Sequence, residues 1–138
     1  PVGTAAWIAE KMAYWMDGPK PGPNAPGRAD ESGGFSRDRM LTNIMLYILT
    51  RSFNTAAWTY AAYGPEGSRI FPPGARVEVP VGVACFPKEV LPFPPRRYVE
   101  LAYNVVHWTD MPRGGHFAAF EQPALWLDDV RKFVTGLG

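Results

Sequence analysis

The order of elements in the second half of the sequence constrains the fold most strongly. Residues 77–86 alternate valine with other residues and end in Ala-Cys-Phe, which predicts a β-strand. Pro95 suits the first turn of a short helix through Ala102, residues 105–108 predict a second strand, and Pro123 begins a final helix. Strand, helix, strand, helix is typical of a parallel sheet covered by helices, so we expect an α/β fold.

Residue types within these elements predict their pairing and burial. Pro80 has no N–H to donate to a neighbouring strand, so regular pairing of the first strand should begin near Val81. The end of that strand should be buried on both faces. The final helix should bury an apolar stripe, which consists of Trp126, Leu127, Val130, Phe133, Val134 and Leu137.

The first half of the sequence predicts helices. Apolar residues recur at helical spacing in three ranges, 5–16, 40–48 and 55–63. Gly18 with the following proline ends the first helix, Ser36 suits the N-cap of the second, and residues 19–34 form a loop with four prolines and four glycines. We interpret residues 1–72 as a helical lid with its exit helices. Residues 73–138 would be the C-terminal part of an α/β core, whose other strands we expect upstream.

Composition and charge indicate which partners and which cellular location to expect. The 138 residues carry a net charge of +1 without a cluster of Lys or Arg, which argues against nucleic acid as a partner. Cys85 is the only cysteine, so no disulfide forms within the chain, and a reducing, cytoplasmic location is expected. The sequence opens without Met or a signal-peptide pattern, and no apolar run reaches the roughly 18 residues of a membrane span. Because the sequence opens in this way, we expect it to be the interior of a longer chain.

His116 is the first candidate for chemistry. It follows the second predicted strand, comes directly after Gly114 and Gly115, and precedes the final helix. Ligand sites of parallel sheets lie beyond the carboxyl ends of the strands, and a neutral imidazole there can activate water near physiological pH. A loop histidine that only packs or caps the last helix is the alternative. For His107, which lies inside a strand, a structural role is favoured.

Glu89 is the second candidate. It lies just past the end of the first predicted strand and precedes His116 by 27 residues, enough for a crossover between neighbouring parallel strands. A carboxylate bonded to one ring nitrogen fixes the imidazole tautomer and stabilises the imidazolium that forms during catalysis. A surface glutamate beside Lys88 is the alternative, but an acid and then a histidine, each after a late strand, is the order found in α/β hydrolases.

Other chemistries have less support in the sequence. Two histidines and one cysteine offer no set of zinc ligands at the usual spacing, and no glycine-rich loop carries the lysine of a phosphate-binding loop. Cys85 ends an apolar strand, which favours packing over a nucleophilic role. We therefore expect neither a metal nor an organic cofactor.

Four stretches together resemble the microsomal-type epoxide hydrolases. The stretch Gly-Gly-His-Phe-Ala-Ala-Phe-Glu at 114–121 resembles the family's histidine motif, and Phe-Pro-Lys-Glu at 86–89 resembles its acid-bearing loop. Pro-Val-Gly with Ala-Trp-Ile at 1–8 resembles the lid helix, and Leu-Thr-Asn-Ile-Met-Leu-Tyr at 41–47 resembles the helix that leads out of the lid. The matches follow the family's order and span nearly the whole chain, except the proline-rich loop and residues 64–76.

The resemblance implies an α/β-hydrolase fold and a reaction without a cofactor. In this family an aspartate attacks an epoxide carbon and forms an ester, which a water activated by the histidine and its acid then hydrolyses to a diol. By motif, His116 is the base and Glu89 its partner. Tyr60, at the family's spacing after the exit helix, would donate to the epoxide oxygen, with Tyr63 as the fallback. A small apolar epoxide and water would be the substrates.

Several catalytic elements of this family do not occur in the 138 residues. The sequence contains no Gly-Gly-Asp-Trp-Gly-type turn for the nucleophile, no His-Gly segment for the oxyanion hole and no second lid tyrosine. Asp110 lies in the loop before His116, and three other aspartates lack a strand–turn–helix context, namely Asp17, Asp30 and Asp38. The N-terminal part of the same enzyme is the expected partner, without which the chain should be inactive. A homo-oligomer is also left open.

Two other functions stay open. An upstream serine nucleophile would make an esterase, whereas an aspartate would be shared with haloalkane dehalogenases, although Tyr60 favours an epoxide. A non-catalytic product of a truncated gene is the second alternative, and it would expose sheet edges and leave its core incompletely filled.

Overall fold

The computed structural model describes residues 1–18, 37–62 and 74–138. Its elements in chain order are α1 (Val2–Trp15), α2 (Arg37–Leu49), α3 (Phe53–Ala62), β1 (Val77–Cys85), α4 (Arg96–Val99), β2 (Tyr103–Asp110), α5 (Ala118–Glu121) and α6 (Pro123–Thr135). This order confirms the predicted helices followed by strand, helix, strand and helix. The predicted loop at 19–34 and N-cap Ser36 lie outside the described residues. Within the three described ranges, none of the helices has both the length and the apolarity needed to cross a membrane.

Helices α1 and α2 pack together because each presents an apolar stripe to the other. Ile8 and Met12 from α1 and Ile44 from α2 form a buried cluster, and Phe53 at the start of α3 packs against it. The Asn43 amide also donates to the Met12 sulfur at 3.5 Å. The cluster joins α1 to α2, and Phe53 connects the start of α3 to both.

Strands β1 and β2 pair in parallel, with α4 in the crossover between them. A single pair joins Val77 to Tyr103, and consecutive pairing then runs from Pro80 onward, close to the predicted start near Val81. The register does shift between Val77 and Pro80, where the proline has no N–H to donate. Cys85 and Asp110 face each other at the carboxyl ends. The loops that follow the two strands therefore leave from the same edge of the sheet.

Helix α6 begins at Pro123 as predicted, but the predicted burial of its apolar stripe was wrong. Four of the six residues are 40–57% exposed, namely Trp126, Leu127, Val134 and Leu137. Val130 and Phe133 are half-buried, and the Phe133 ring lies close over Gly82 of β1. Because a two-stranded sheet offers only a narrow face, it covers one line of the helix and leaves the flanking residues exposed.

A polar contact attaches α6 to β2. Nε2 of His107 lies 2.8 Å from Oδ1 of Asp129, whose side chain is buried, and 3.1 Å from Oγ1 of Thr109. Hydrogen bonding of this kind offsets the desolvation of the buried carboxylate. The contact is in accord with the structural role predicted for His107.

The end of β1 is half-buried, so the prediction of burial on both faces was also wrong. Val79 of β1 and Val106 of β2 are 66% and 52% exposed. Helix α6 covers part of one face, and the apolar residues beyond it stay in contact with solvent. The burial of a strand depends on the neighbours that cover it as much as on its own residues.

Candidate active site

The loops after β1 and β2 bring Glu89 and His116 together. Nδ1 of His116 lies 2.6 Å from Oε1 of Glu89. Because a carboxylate oxygen accepts hydrogen bonds, Nδ1 is the nitrogen that carries the proton, and Nε2 keeps a lone pair that can take a proton from water. The structure thus joins the two residues that the sequence places after successive strands.

Backbone contacts hold the two loops side by side. The Lys88 N–H donates to the Gly114 carbonyl at 3.1 Å, and Lys88 pairs with Gly115 as an isolated parallel bridge beyond the sheet. The Val90 N–H donates to Oε1 of Glu89 at 2.7 Å, so its own loop also holds the carboxylate. The Glu89 and His116 side chains are 24% and 38% exposed, which leaves the pair accessible to water.

Glycine is required at both positions before His116 because a side chain would not fit at either. Gly114 has a φ of +112°, a conformation that L side chains rarely adopt, and a Cβ there would come within 2.7 Å of the Phe86 ring. A Cβ on Gly115 would come within 2.7 Å of the Asp17 nitrogen and 2.8 Å of the Trp15 oxygen. The turn can therefore approach β1 and the end of α1 only with glycines at both positions.

Two aromatic rings orient the imidazole of His116. The Trp15 ring lies 4.9 Å away at 72°, and the Phe117 ring lies 5.1 Å away at 88°, both measured between ring centroids. The His116 N–H donates to the Trp15 carbonyl at 3.0 Å. Edge-to-face contacts on the ring, combined with a backbone bond, restrict the plane of the imidazole.

Comparisons with known proteins identify relatives of this chain. No family model matches the chain. Epoxide hydrolase 1 of Sus scrofa is 40% identical over 140 residues, which cover 97% of this chain and 29% of that protein. The crystal structure of juvenile hormone epoxide hydrolase from the silkworm Bombyx mori matches with a TM-score of 0.74 and 30% identity, covering 98% of this chain and 33% of that one. Aspergillus niger epoxide hydrolase matches with a TM-score of 0.72 and 30% identity, covering 100% and 31%.

The chain is related to the epoxide hydrolases of the α/β-hydrolase fold. It spans about 30% of the length of these relatives. The match confirms the predicted fold class, in which late parallel strands with covering helices follow helical segments. The boundary drawn at residue 72 between lid and core stays a prediction.

Tyr60, the residue expected to contact the epoxide oxygen in an epoxide hydrolase, lies on α3. Its ring is 5.7 Å from the Trp7 ring at 86°, and the side chain is 54% exposed. Trp7 and Trp15 both lie on α1, about 12 Å apart along the helix axis at 1.5 Å per residue. The structure therefore places Tyr60 beside the middle of α1 and His116 beside its C-terminal end. The fallback, Tyr63, lies outside the described residues.

Glu121 is a residue at this site for which the sequence pattern predicted no role. Its side chain is 4% exposed. Its Oε2 accepts from the Asp17 N–H at 2.6 Å and the Gly115 N–H at 3.2 Å, and its Oε1 accepts from the Phe117 N–H at 2.9 Å. A signal was available, because Glu121 directly follows the apolar Phe-Ala-Ala-Phe run, and an acid that is buried with such neighbours requires hydrogen-bond partners.

Cys85 and Asp110, at the strand ends below the pair, do not form a nucleophilic site. Burial raises the pKa of the Cys85 thiol, and the negative charge of Asp110 raises it further, so the thiol stays protonated and weakly reactive. Oδ1 of Asp110 accepts from the Trp108 indole N–H at 3.3 Å. Across residues 1–18, 37–62 and 74–138, no three His, Cys, Asp or Glu side chains are grouped to hold a metal ion.

Proposed function

We propose that the chain is the acid- and histidine-bearing part of an epoxide hydrolase that converts an epoxide and water to a vicinal diol. The observation that carries the proposal is the 2.6 Å contact between Glu89 and His116 beyond the carboxyl ends of two parallel strands. The relationship to epoxide hydrolases, by sequence and by fold, supports the same reaction.

The proposed reaction has two steps. An aspartate from the N-terminal part of the same enzyme opens the epoxide and becomes esterified, while the Tyr60 phenol donates its proton to the developing alkoxide. Nε2 of His116 then takes a proton from water, the hydroxide adds to the ester carbonyl, and the diol leaves with the proton from the imidazolium. Glu89 stabilises that imidazolium. The proton of the regenerated aspartic acid restores the phenol.

The N-terminal part of the same enzyme is the proposed partner. The chain spans 29% of the length of the Sus scrofa enzyme, and Val79 and Val106 of its sheet are exposed. Further strands and helices from that part would cover these residues and would supply the nucleophile. A homo-oligomer is a separate proposal, and size-exclusion chromatography of the full-length protein tests it.

Substrate selectivity tests the proposed function. The full-length protein is assayed with styrene oxide, p-nitrophenyl acetate and 1-bromobutane under identical conditions, with the 138-residue chain alone as a control. We expect diol formation from styrene oxide by the full-length protein, little ester cleavage or bromide release, and no activity from the chain alone. Ester cleavage without diol formation would assign an esterase, and bromide release without diol formation would assign a dehalogenase.

Tyr60→Phe tests the assignment of the proton donor. Removing the phenol should lower kcat/KM for diol formation about tenfold, because kcat/KM reports ring opening and the developing alkoxide loses a hydrogen bond while a second lid tyrosine still contributes one. Steady-state kinetics of the full-length protein with styrene oxide measure the effect. Tyr98→Phe on α4, where the side chain is 66% exposed, is the matched control and should leave kcat/KM unchanged. Equal kcat/KM values for the two variants would exclude Tyr60 as the donor.

A further inference from the structure

We propose that Glu121 is a positioning residue. It fixes the orientation of the His116 imidazole by attaching residues 114–117 to the end of α1. The inference rests on the proposed function, because it assigns Glu121 to the ester-hydrolysis step. Glu121 does not contact His116 through its side chain. It binds the backbone on both sides of the histidine.

The contacts of Glu121 connect two distant parts of the chain. Its two oxygens accept from the Gly115 N–H at 3.2 Å and from the Phe117 N–H at 2.9 Å, the residues directly before and after His116. One of these oxygens also accepts from the Asp17 N–H at 2.6 Å, just past the end of α1. A single carboxylate therefore fixes the position of the histidine loop relative to the end of α1.

The end of α1 supplies the remaining acceptors of the same loop. Oδ2 of Asp17 accepts from the Gly114 N–H at 2.9 Å, and the Trp15 carbonyl accepts from the His116 N–H at 3.0 Å. All four consecutive N–H groups of residues 114–117 are thus bonded either to Glu121 or to the end of α1. Because the Trp15 ring also contacts the imidazole, a shift of α1 relative to the loop would move both the backbone and the ring contact.

The burial of Glu121 shows how much this arrangement depends on the carboxylate. At 4% exposure the side chain has lost nearly all of its hydration, which is costly unless hydrogen bonds replace it. Hydrogen bonds from N–H groups to a carboxylate are shorter and stronger than those between neutral groups. Three such bonds replace the water and make Glu121 difficult to substitute without displacing the loop.

A positioning role predicts an effect on one step of the reaction. Ring opening uses the aspartate and the tyrosine, whereas hydrolysis of the ester uses Nε2 of His116. If Glu121 sets the imidazole, its replacement slows hydrolysis and leaves ring opening nearly unchanged. If Glu121 only stabilises the fold, its replacement lowers the amount of active enzyme and affects both steps alike.

Glu121→Gln in the full-length enzyme separates these outcomes. Glutamine keeps the size of the side chain but turns an N–H donor toward backbone N–H donors, so at least one of the bonds is lost. We expect kcat for styrene oxide to fall about tenfold, since a displaced base loses its alignment. KM should fall in parallel, kcat/KM should change little, and the ester should accumulate in intact-protein mass spectra during turnover.

Asp129→Asn is the matched control, because it also converts a buried carboxylate to an amide, at the contact with His107. It should lower thermal stability without accumulation of the ester. A fall in kcat/KM for Glu121→Gln without ester in the mass spectrum would overturn the inference. Wild-type kinetics for this variant would overturn it as well.

Two further variants complete the test. One is used if Glu121→Gln does not fold, and the other tests the proposed function separately. If Glu121→Gln does not fold, Asp17→Ala removes the acceptor of the Gly114 N–H and leaves Glu121 in place. It should produce a smaller parallel fall in kcat and KM, and unchanged values would contradict the inference. His116→Ala, studied alongside, must accumulate the ester. If it does not, the proposed function fails, whatever the result for Glu121.

Discussion

Replacing His116 with alanine should lower the rate of diol formation about 10³-fold and trap the full-length enzyme as its ester. General-base catalysis of this kind typically contributes about 10² to 10⁴-fold, and Nε2 of His116 is the atom to which the proposed mechanism assigns that role. Glu89 lies on the Nδ1 side of the ring, 2.6 Å away, so it holds the imidazole but does not face the water that Nε2 would activate. Ring opening does not use His116, so the first step continues until every nucleophile is esterified.

Mass spectrometry of the intact protein after mixing with excess styrene oxide measures this outcome. We expect one added substrate per molecule of His116→Ala and no lasting addition on the wild type. His107→Ala is the matched control, since it removes the only other histidine of the chain, whose partner is Asp129 on α6. It should keep most of the activity. Wild-type turnover by His116→Ala would refute the proposed function.

The Glu89 and His116 contact could be predicted because it depends on chain order. Parallel strands that are neighbours in the sheet end at the same edge, so residues that follow each strand directly must lie close together. Gly114 and Gly115, directly before His116, were a second signal, because glycines allow a sharp turn of the backbone and leave room beside the imidazole. Neither inference requires knowledge of the rest of the protein, which is why the site was accessible from 138 residues.

The errors arise where burial depends on neighbours that a local pattern does not specify. The periodicity of α6 correctly predicted a helix, but the exposure of Trp126 and Leu127 reflects the width of the sheet beneath it. Pro80 correctly predicted that consecutive pairing begins near Val81, but the single pair of Val77 with Tyr103 before the proline was not predicted. Glu121 illustrates a different limit, because the apolar run before it could indicate a buried acid, but its partners are backbone N–H groups, which no residue pattern identifies.

Gly115→Ala should lower the free energy of unfolding of the full-length enzyme by about 3 kcal/mol, as overpacking of a closely packed site does. The added Cβ would lie 2.7 Å from the Asp17 nitrogen, 2.8 Å from the Trp15 oxygen and 3.0 Å from the Met16 carbonyl carbon. These are backbone atoms, so no side-chain rotation relieves the contact. Either the end of α1 or the histidine loop must move, and a displacement of about 1 Å should reduce turnover about 100-fold.

Urea unfolding and steady-state kinetics measure the two effects of Gly115→Ala together. Gly3→Ala is the matched control, because a Cβ on Gly3 in α1 would have no heavy atom within 4 Å, and alanine favours the helix. It should leave stability and turnover unchanged or slightly raised. Wild-type stability and kcat for Gly115→Ala would mean that the end of α1 does not press against the histidine loop in the full-length enzyme. The positioning role of Glu121 would then be lost too, because it requires that same contact.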